Sequence, residues 1–404
     1  MTNILFQINT YVNFGSTGRI AEEIGQFAMS QGWESYIAYG RNDRPSQSHR
    51  IRIGNDRDIR LHGLQTRLFD NHGFASKTVT QKLVAQIENI KPDIIHLHNI
   101  HGYYINIEIL FNYLSTLNTP IIWTLHDCWA ITGHCSHFSY IGCDKWKTHC
   151  EKCPQKKEYP TSFLRDNSYV NFDKKRQLFT SVKNMTIVPV SHWLKRIIED
   201  SYLNKYPINV IYNGINSKVF IPKNNLDIKE KYQLHNKFVL LGVATNWTNR
   251  KGLSDFIQLS NCLTDEEIIL LVGLSSKQIK LLPKNIIGVE RTENINELAE
   301  LYSTANLFVN PTWEDNFPTT NLEALACGTP VLTYLTGGSP EAINDETGFV
   351  VEQGNINGMK KAINEIQNKG KEFYSNACRE RALSLYNKEL RFQEYLNLYN
   401  SLKN

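Results

Sequence analysis

Asn310-Pro-Thr-Trp-Glu-Asp-Asn-Phe-Pro-Thr-Thr-Asn-Leu-Glu-Ala-Leu-Ala-Cys-Gly-Thr-Pro-Val331 decides the fold of this 404-residue chain. The stretch begins where an apolar run, 307–310, ends. It passes through a proline-punctuated loop, turns helical over 321–326, stops at Gly328 and leaves in a second apolar run, 331–334. Strand, loop, helix and strand in succession is the repeating unit of a parallel sheet. Asp315 lies in the loop, and Glu323, eight residues on, lies two turns into the helix. The helix N-terminus between them can receive a phosphate while the two carboxylates accept hydrogen bonds from sugar hydroxyls, a combination suited to a nucleotide sugar.

The same alternation extends in both directions. Short runs rich in Ile, Val and Leu occur at 4–8, 35–39, 94–98, 121–125 and 186–190, and again at 210–212, 238–243, 268–272, 286–289, 307–310 and 331–334. Helical patterns separate them at 19–30, 78–89, 193–202, 295–304, 321–326 and 359–368, with a last one at 390–402. Continuous apolar strands alternating with helices imply parallel sheets covered on both faces. The strands are too many for one sheet, so the expectation is an α/β protein of two doubly wound, Rossmann-like domains. The boundary falls near 211–225, where Asn213-Gly214 and Pro222 punctuate the chain. This gives an N-terminal domain over 1–205 with an insertion at 128–160 and a C-terminal domain over 206–385. The terminal helical pattern over 386–404 can pack anywhere by its own sequence, and the expectation is that it crosses back to the first domain.

Composition bounds the rest. At 41% hydrophobic and 21% charged residues the chain is neither disordered nor fibrous. No uninterrupted apolar run approaches the ~18–20 residues of a bilayer span. Residues 1–9 read as a first strand, so the expectation is a cytoplasmic protein. Net charge is +4, too little for a nucleic-acid binder. Residues 1–200 hold 23 Lys and Arg against 18 Asp and Glu, while the remainder holds 21 against 22. Such a mildly basic first half can lean on an anionic membrane surface or meet phosphates, or be an ordinary solvated surface.

Ligands of open α/β sheets bind beyond the carboxyl ends of strands, and three further motifs stand there. Asn13-Phe-Gly-Ser-Thr-Gly-Arg19 leads from the first strand into a helix; its small residues Gly15, Ser16 and Thr17 allow close approach of an anion, or make a plain turn. It is neither a P-loop nor a dinucleotide fingerprint. Trp123-Thr-Leu-His-Asp127 puts His126 at a strand tip. His96 and His98 share one face of another strand and serve equally well as hydrogen-bonded packing groups, as does His101 nearby. Asn246-Trp-Thr-Asn-Arg-Lys-Gly252 places Arg250 and Lys251 at a helix entrance, where two cations suit a diphosphate.

The 310–331 segment resembles the donor-site signature of retaining GT-B glycosyltransferases of family 4, close to bacterial exopolysaccharide and O-antigen enzymes of the colanic-acid type. That signature is a Glu-x7-Glu pair before Glu-Ala-x-Ala-x-Gly-x-Pro-Val. The Gly15–Gly18 loop, Thr124-x-His126-Asp127, Val190-Ser191, Asn213-Gly214, Arg250-Lys251-Gly252 and Thr336-Gly337-Gly338 follow the family's motif order. Asp315 replaces the first Glu of the pair, Thr245 stands where an Arg is common, and Pro318 where many members carry Gly.

The resemblance implies a GT-B architecture, two Rossmann-like domains facing a central cleft. It also implies retaining transfer from a UDP- or GDP-sugar to a glycan, a lipid-linked oligosaccharide at the inner membrane face, with peripheral membrane contact. Glu323 would hold the ribose hydroxyls. Asp315, Asn316, Phe317, Pro318 and Thr319 would position the donor sugar. Lys251 and Arg250 would stabilise the departing diphosphate, His126 would contact the donor sugar, and Gly15, Ser16 and Thr17 would line the phosphate and acceptor side. No Asp-x-Asp pair stands among these motifs, so no catalytic metal is expected. The alternatives are a nucleotide-sugar epimerase on the same fold and a non-catalytic, zinc-bearing binding scaffold.

Five of the eight cysteines lie between 128 and 153. Cys135, Cys143, Cys150 and Cys153, ending in Cys-x2-Cys-Pro, can supply four thiolates to a structural zinc, remain free thiols, or form disulfides.

Overall fold

The computed structural model describes residues 2–223 and 226–403, so Asn224 and Asn225 of the expected boundary stretch lie outside the described residues. Two six-stranded sheets form. In the first, β1 (Ile4–Tyr11), β2 (Glu34–Arg41), β3 (His49–Arg52), β4 (Ile94–Leu97), β5 (Ile121–Leu125) and β6 (Met185–Pro189) lie in the order β3-β2-β1-β4-β5-β6. In the second, β7 (Phe238–Val243), β8 (Glu267–Val272), β9 (Ile286–Val289), β10 (Leu307–Asn310), β11 (Val331–Tyr334) and β12 (Gly348–Val351) lie in the order β12-β11-β10-β7-β8-β9. The strand pairings are parallel, for example Ile8 opposite Leu97 and Phe308 opposite Leu241. Each sheet is thus wound outward from its first strand and reverses once, between β1 and β4 and between β7 and β10. Ligands of such sheets bind beyond the carboxyl ends at that reversal.

The apolar runs form strands because both of their faces are covered: β4, β5, β6 and β10 are buried at every residue. Residues 210–212 are an exception. They form no strand, and Ile211 makes a single long backbone bond, its N–H to the Pro189 carbonyl at 3.3 Å. The edge strands β3 and β12 lie outside the expected runs. β3 reads His-Arg-Ile-Arg and is mostly exposed, so hydrophobicity does not mark it.

Contacts group the chain into Met1–Tyr212 with Arg391–Asn404, and Asn213–Leu390. The C-terminal helix Lys388–Leu402 therefore delivers its last residues to the first unit. There Phe392, Tyr395, Leu396 and Tyr399 pack on Leu5, Ile24, Trp33, Ile94 and Val188. Its phenols also satisfy buried polar groups of the sheet. Tyr399 Oη pairs with His96 Nδ1 at 2.7 Å, and Tyr395 Oη with Thr124 Oγ1 at 3.1 Å. Fully burying one such apolar side chain contributes about 1.5–3 kcal/mol.

Candidate functional site

In the second unit the loops that follow β7 and β10 meet. β7 ends at Val243 and runs into a short 3-10 turn, Asn249–Lys251; β10 ends at Asn310 and runs through 311–318 into the helix Thr319–Ala326. Arg250 ties the two loops together. Its carbonyl accepts from Trp313 N–H at 2.8 Å, and its guanidinium donates to the Glu314 carbonyl at 2.9 Å. The guanidinium is therefore engaged with backbone. Lys251 Nζ donates to the Asp315 carboxylate; both side chains keep about a quarter of their surface in solvent. Two glycines permit this approach. A Cβ on Gly252, at φ +82°, would meet the Pro311 carbonyl oxygen at 2.2 Å. On Gly337, at φ +54°, it would meet the Asp315 carbonyl oxygen at 1.8 Å.

Pro318 precedes the helix Thr319–Ala326, which has no side-chain cap and no acid in its first turn. Its free N–H groups suit an anion. Phe317 is buried with its ring centre 5.7 Å from that of Tyr386, the two rings tilted by 56°, while Asn213 donates to the Phe317 carbonyl at 3.4 Å. Asn316 is buried as well, so its side chain shapes the loop from within. Glu323 accepts from Tyr302 Oη at 2.8 Å. Burial, then the Glu323 charge, holds that phenol well above its ordinary range, so it stays a donor to the carboxylate.

In the first unit Gly15, at φ +64°, opens the helix Gly15–Ser30, and nothing lies within 4 Å of a Cβ built on it. No side chain caps that helix. His126, just past β5, contacts His98 Nδ1 through Nε2 at 3.3 Å. His98 in turn meets Gln7 Oε1 at 3.0 Å, and His96 meets Thr124 Oγ1 at 2.8 Å. Burial lowers His126 to about 4 and His96 to about 3, so these rings are neutral near pH 7. His96 and His98 thus take the packing role that their shared strand face allowed.

The neighbouring pair His101–Asp127 was not singled out by the sequence, although Asp127 adjoins His126. His101 Nε2 and Asp127 Oδ2 are 2.8 Å apart, and Tyr159 Oη lies 3.0 Å from His101 Nδ1. Burial works to raise the Asp127 carboxyl, but His101 and the Trp129 N–H outweigh it and bring it to about 2. Tyr302 was also missed, because nothing in sequence links it to an acid 21 positions away.

Cys135, Cys143, Cys150 and Cys153 all line one small cavity of about 10 Å³, together with His134 and Trp146. All four are free thiols, and Cys135 and Cys153 hydrogen-bond to one another. His134 Nδ1 is 2.6 Å from Asp70 Oδ1, and its Nε2 is buried without a hydrogen-bond partner. Among the described residues no group of three or more His, Cys, Asp or Glu side chains is arranged to hold a metal ion. No helix of the described residues is long and apolar enough to cross a membrane.

The family described as Glycosyltransferase Family 4 matches residues 17–219, and the one described as Glycosyl transferases group 1 matches 236–369. The chain is 23% identical to WcaC of Escherichia coli K12, named for colanic acid biosynthesis as a glycosyl transferase, over 99% of this chain and all of that one. It is 23% identical to the Escherichia coli UDP-Gal:alpha-D-GlcNAc-diphosphoundecaprenol alpha-1,3-galactosyltransferase over 50% of this chain and 56% of that one. The crystal structure of Anabaena HepE in complex with UDP superposes with a TM-score of 0.69 at 15% identity, covering 99% of this chain and 100% of that one.

Proposed function

The chain belongs to Glycosyltransferase Family 4, with the GT-B fold, and on that premise we propose that it moves a sugar from a nucleotide diphosphate-sugar to a glycan acceptor with retention of the anomeric configuration. The observation that carries this reading is the Lys251–Asp315 pair, braced by Arg250 at the winding reversal between β7 and β10. Cleaving a glycosyl–phosphate bond builds negative charge on the leaving diphosphate. A fixed cation and free helix N–H groups aimed at that charge supply about 3–4 kcal/mol per well-placed group.

In this proposal Lys251, aided by Arg250, meets the diphosphate. Asp315, with Asn316, Phe317, Pro318 and Thr319, orients the sugar, and Glu323 takes the ribose hydroxyls. His126 contacts the donor sugar as a neutral ring, and Gly15, Ser16 and Thr17 serve the phosphates and acceptor. The donor is a UDP- or GDP-sugar; the UDP held by HepE supports the class. The acceptor is a lipid-linked oligosaccharide of bacterial surface polysaccharide, met by a peripheral enzyme at the cytoplasmic face of the inner membrane. The diphosphoundecaprenol named for the galactosyltransferase supports this. Both matching families are glycosyltransferases, which leaves the epimerase reading without support.

A panel of UDP-, GDP- and dTDP-sugars tests the proposal. Slow donor hydrolysis with one of them, and on addition of a glycan acceptor a glycoside whose anomeric coupling by NMR matches the donor, is the expected outcome. Interconversion of free sugar nucleotides, or an inverted product, would contradict it.

We further propose that Cys135, Cys143, Cys150 and Cys153, which as free thiols are not arranged to hold a metal ion, draw together on a structural zinc when the metal is supplied. The donor chemistry supports it: four thiols line one cavity, which suits a tetrahedral thiolate site. Elemental analysis of purified protein should find one zinc per chain, and none after all four are changed to Ser.

A further inference from the structure

One face of the first unit leaves large apolar side chains in water among arginines. On the helix Asp56–Phe69, Leu61 is 58% exposed, Leu64 51% and Phe69 42%. The segment 163–165 lies against the last turn of that helix. Phe163 N–H donates to the Arg67 carbonyl at 2.8 Å, and the Arg165 guanidinium sits 5.6 Å from the centre of the Phe69 ring. This segment adds Phe163 at 60% and Leu164 at 67% exposure.

Arg57, Arg60, Leu61, Leu64 and Arg67 recur three and four residues apart, so they share one side of the helix. Arg57, Arg60, Arg67 and Arg165 are exposed, and among the described residues none of the four pairs with a carboxylate. The carboxylates close by in sequence are already engaged. Asp56 pairs with Arg52, Asp58 caps the helix through Asn55 N–H, Asp70 is buried against His134, and Asp166 accepts from Cys153 N–H and Ser168.

Isolated exposed apolar residues need no explanation, but five beside four unpaired arginines do. The pattern matches the boundary between headgroups and acyl chains. Leucine and phenylalanine enter, while guanidinium groups stay with the phosphates. We propose that the helix Asp56–Phe69 and the segment 163–165 form a docking face for an anionic phospholipid bilayer. That this face brings the enzyme to a lipid-linked acceptor rests on the proposed function; the bilayer contact itself does not.

Flotation of the full chain with vesicles, in the absence of donor and acceptor, tests it. Vesicles of phosphatidylcholine with 30% phosphatidylglycerol should carry the protein at about 50 mM salt, and pure phosphatidylcholine at least tenfold less. Arg60→Glu with Arg67→Glu should cut binding at least fivefold, as should Leu64→Asp with Phe163→Asp. Leu281→Asp, on an 82% exposed side chain of the second unit, should leave it unchanged. Donor hydrolysis in solution should stay at the wild-type rate in all of these variants, which separates a lost bilayer contact from a misassigned enzyme. Equal binding to both vesicle types, or wild-type binding by both double variants, would overturn the proposal. So would concentration-dependent dimerisation in light scattering that the Leu64→Asp, Phe163→Asp variant abolishes, since the face would then cover a second copy.

Discussion

Lys251 and Glu323 answer to different parts of the donor, so their loss should separate in kinetics. Lys251→Ala removes a cation whose partner is the leaving diphosphate; kcat should fall about 10²–10³-fold while the melting temperature changes little, because the Lys251–Asp315 pair is partly exposed. Glu323→Ala removes the ribose contact and should raise the donor KM instead, and Tyr302→Phe, which strips the phenol from that carboxylate, should do so more mildly. His126→Ala should slow transfer yet leave nucleoside diphosphate binding nearly intact. Steady-state kinetics on the four variants checks all of this, and four wild-type rates would refute the assignments. At this scale the sequence was informative about place: that Lys251, Asp315 and His126 stand in loops just after strands could be read from the alternation of apolar runs and helical patterns. The partners were not legible. Tyr302 and His101 meet their acids only through the folded sheet, and no local spacing encodes such contacts.

Among the elements, loops at the strand ends are held by close backbone approach as well as by the Arg250 side chain. Gly337→Ala places a methyl against the Asp315 carbonyl and in a conformation unfavourable to L-residues, so it should displace the 311–318 loop. Donor hydrolysis should drop at least tenfold, with circular dichroism unchanged. The C-terminal helix makes the opposite case, since its side chains complete the core of the first unit. Tyr399→Ala vacates a fully buried site and strips His96 of a partner, and should cost about 3–5 kcal/mol in a urea titration. The apolar runs exposed the buried strands directly. The edge strand β3 escaped because its pairing with β2 is one-sided and its residues are polar, and 210–212 misled because three apolar residues do not make a strand without a neighbour.

For the molecule as a whole, buried histidines set the response to acid. His62 and His126 are lowered to about 4, His96 to about 3, and His72 and His98 well below their ordinary value, in each case chiefly by burial. Between about pH 6.5 and 4 the unfolded chain therefore binds protons that the folded chain refuses. Stability is full above pH 6.5 and falls as pH drops through that window, by up to ~1.4 kcal/mol per pH unit for each histidine. Melting temperature should fall by more than 10 °C from pH 7 to pH 5; a flat profile would show that the histidines titrate in the fold as they do in the unfolded chain. Nucleotide titration by calorimetry bears most directly on the central claim, that the loops after β7 and β10 grip a nucleotide sugar. UDP or GDP should bind the wild-type chain, and Glu323→Gln and Lys251→Ala should each weaken that binding at least tenfold. Binding of neither nucleotide, or equal affinity in all three proteins, would contradict the account.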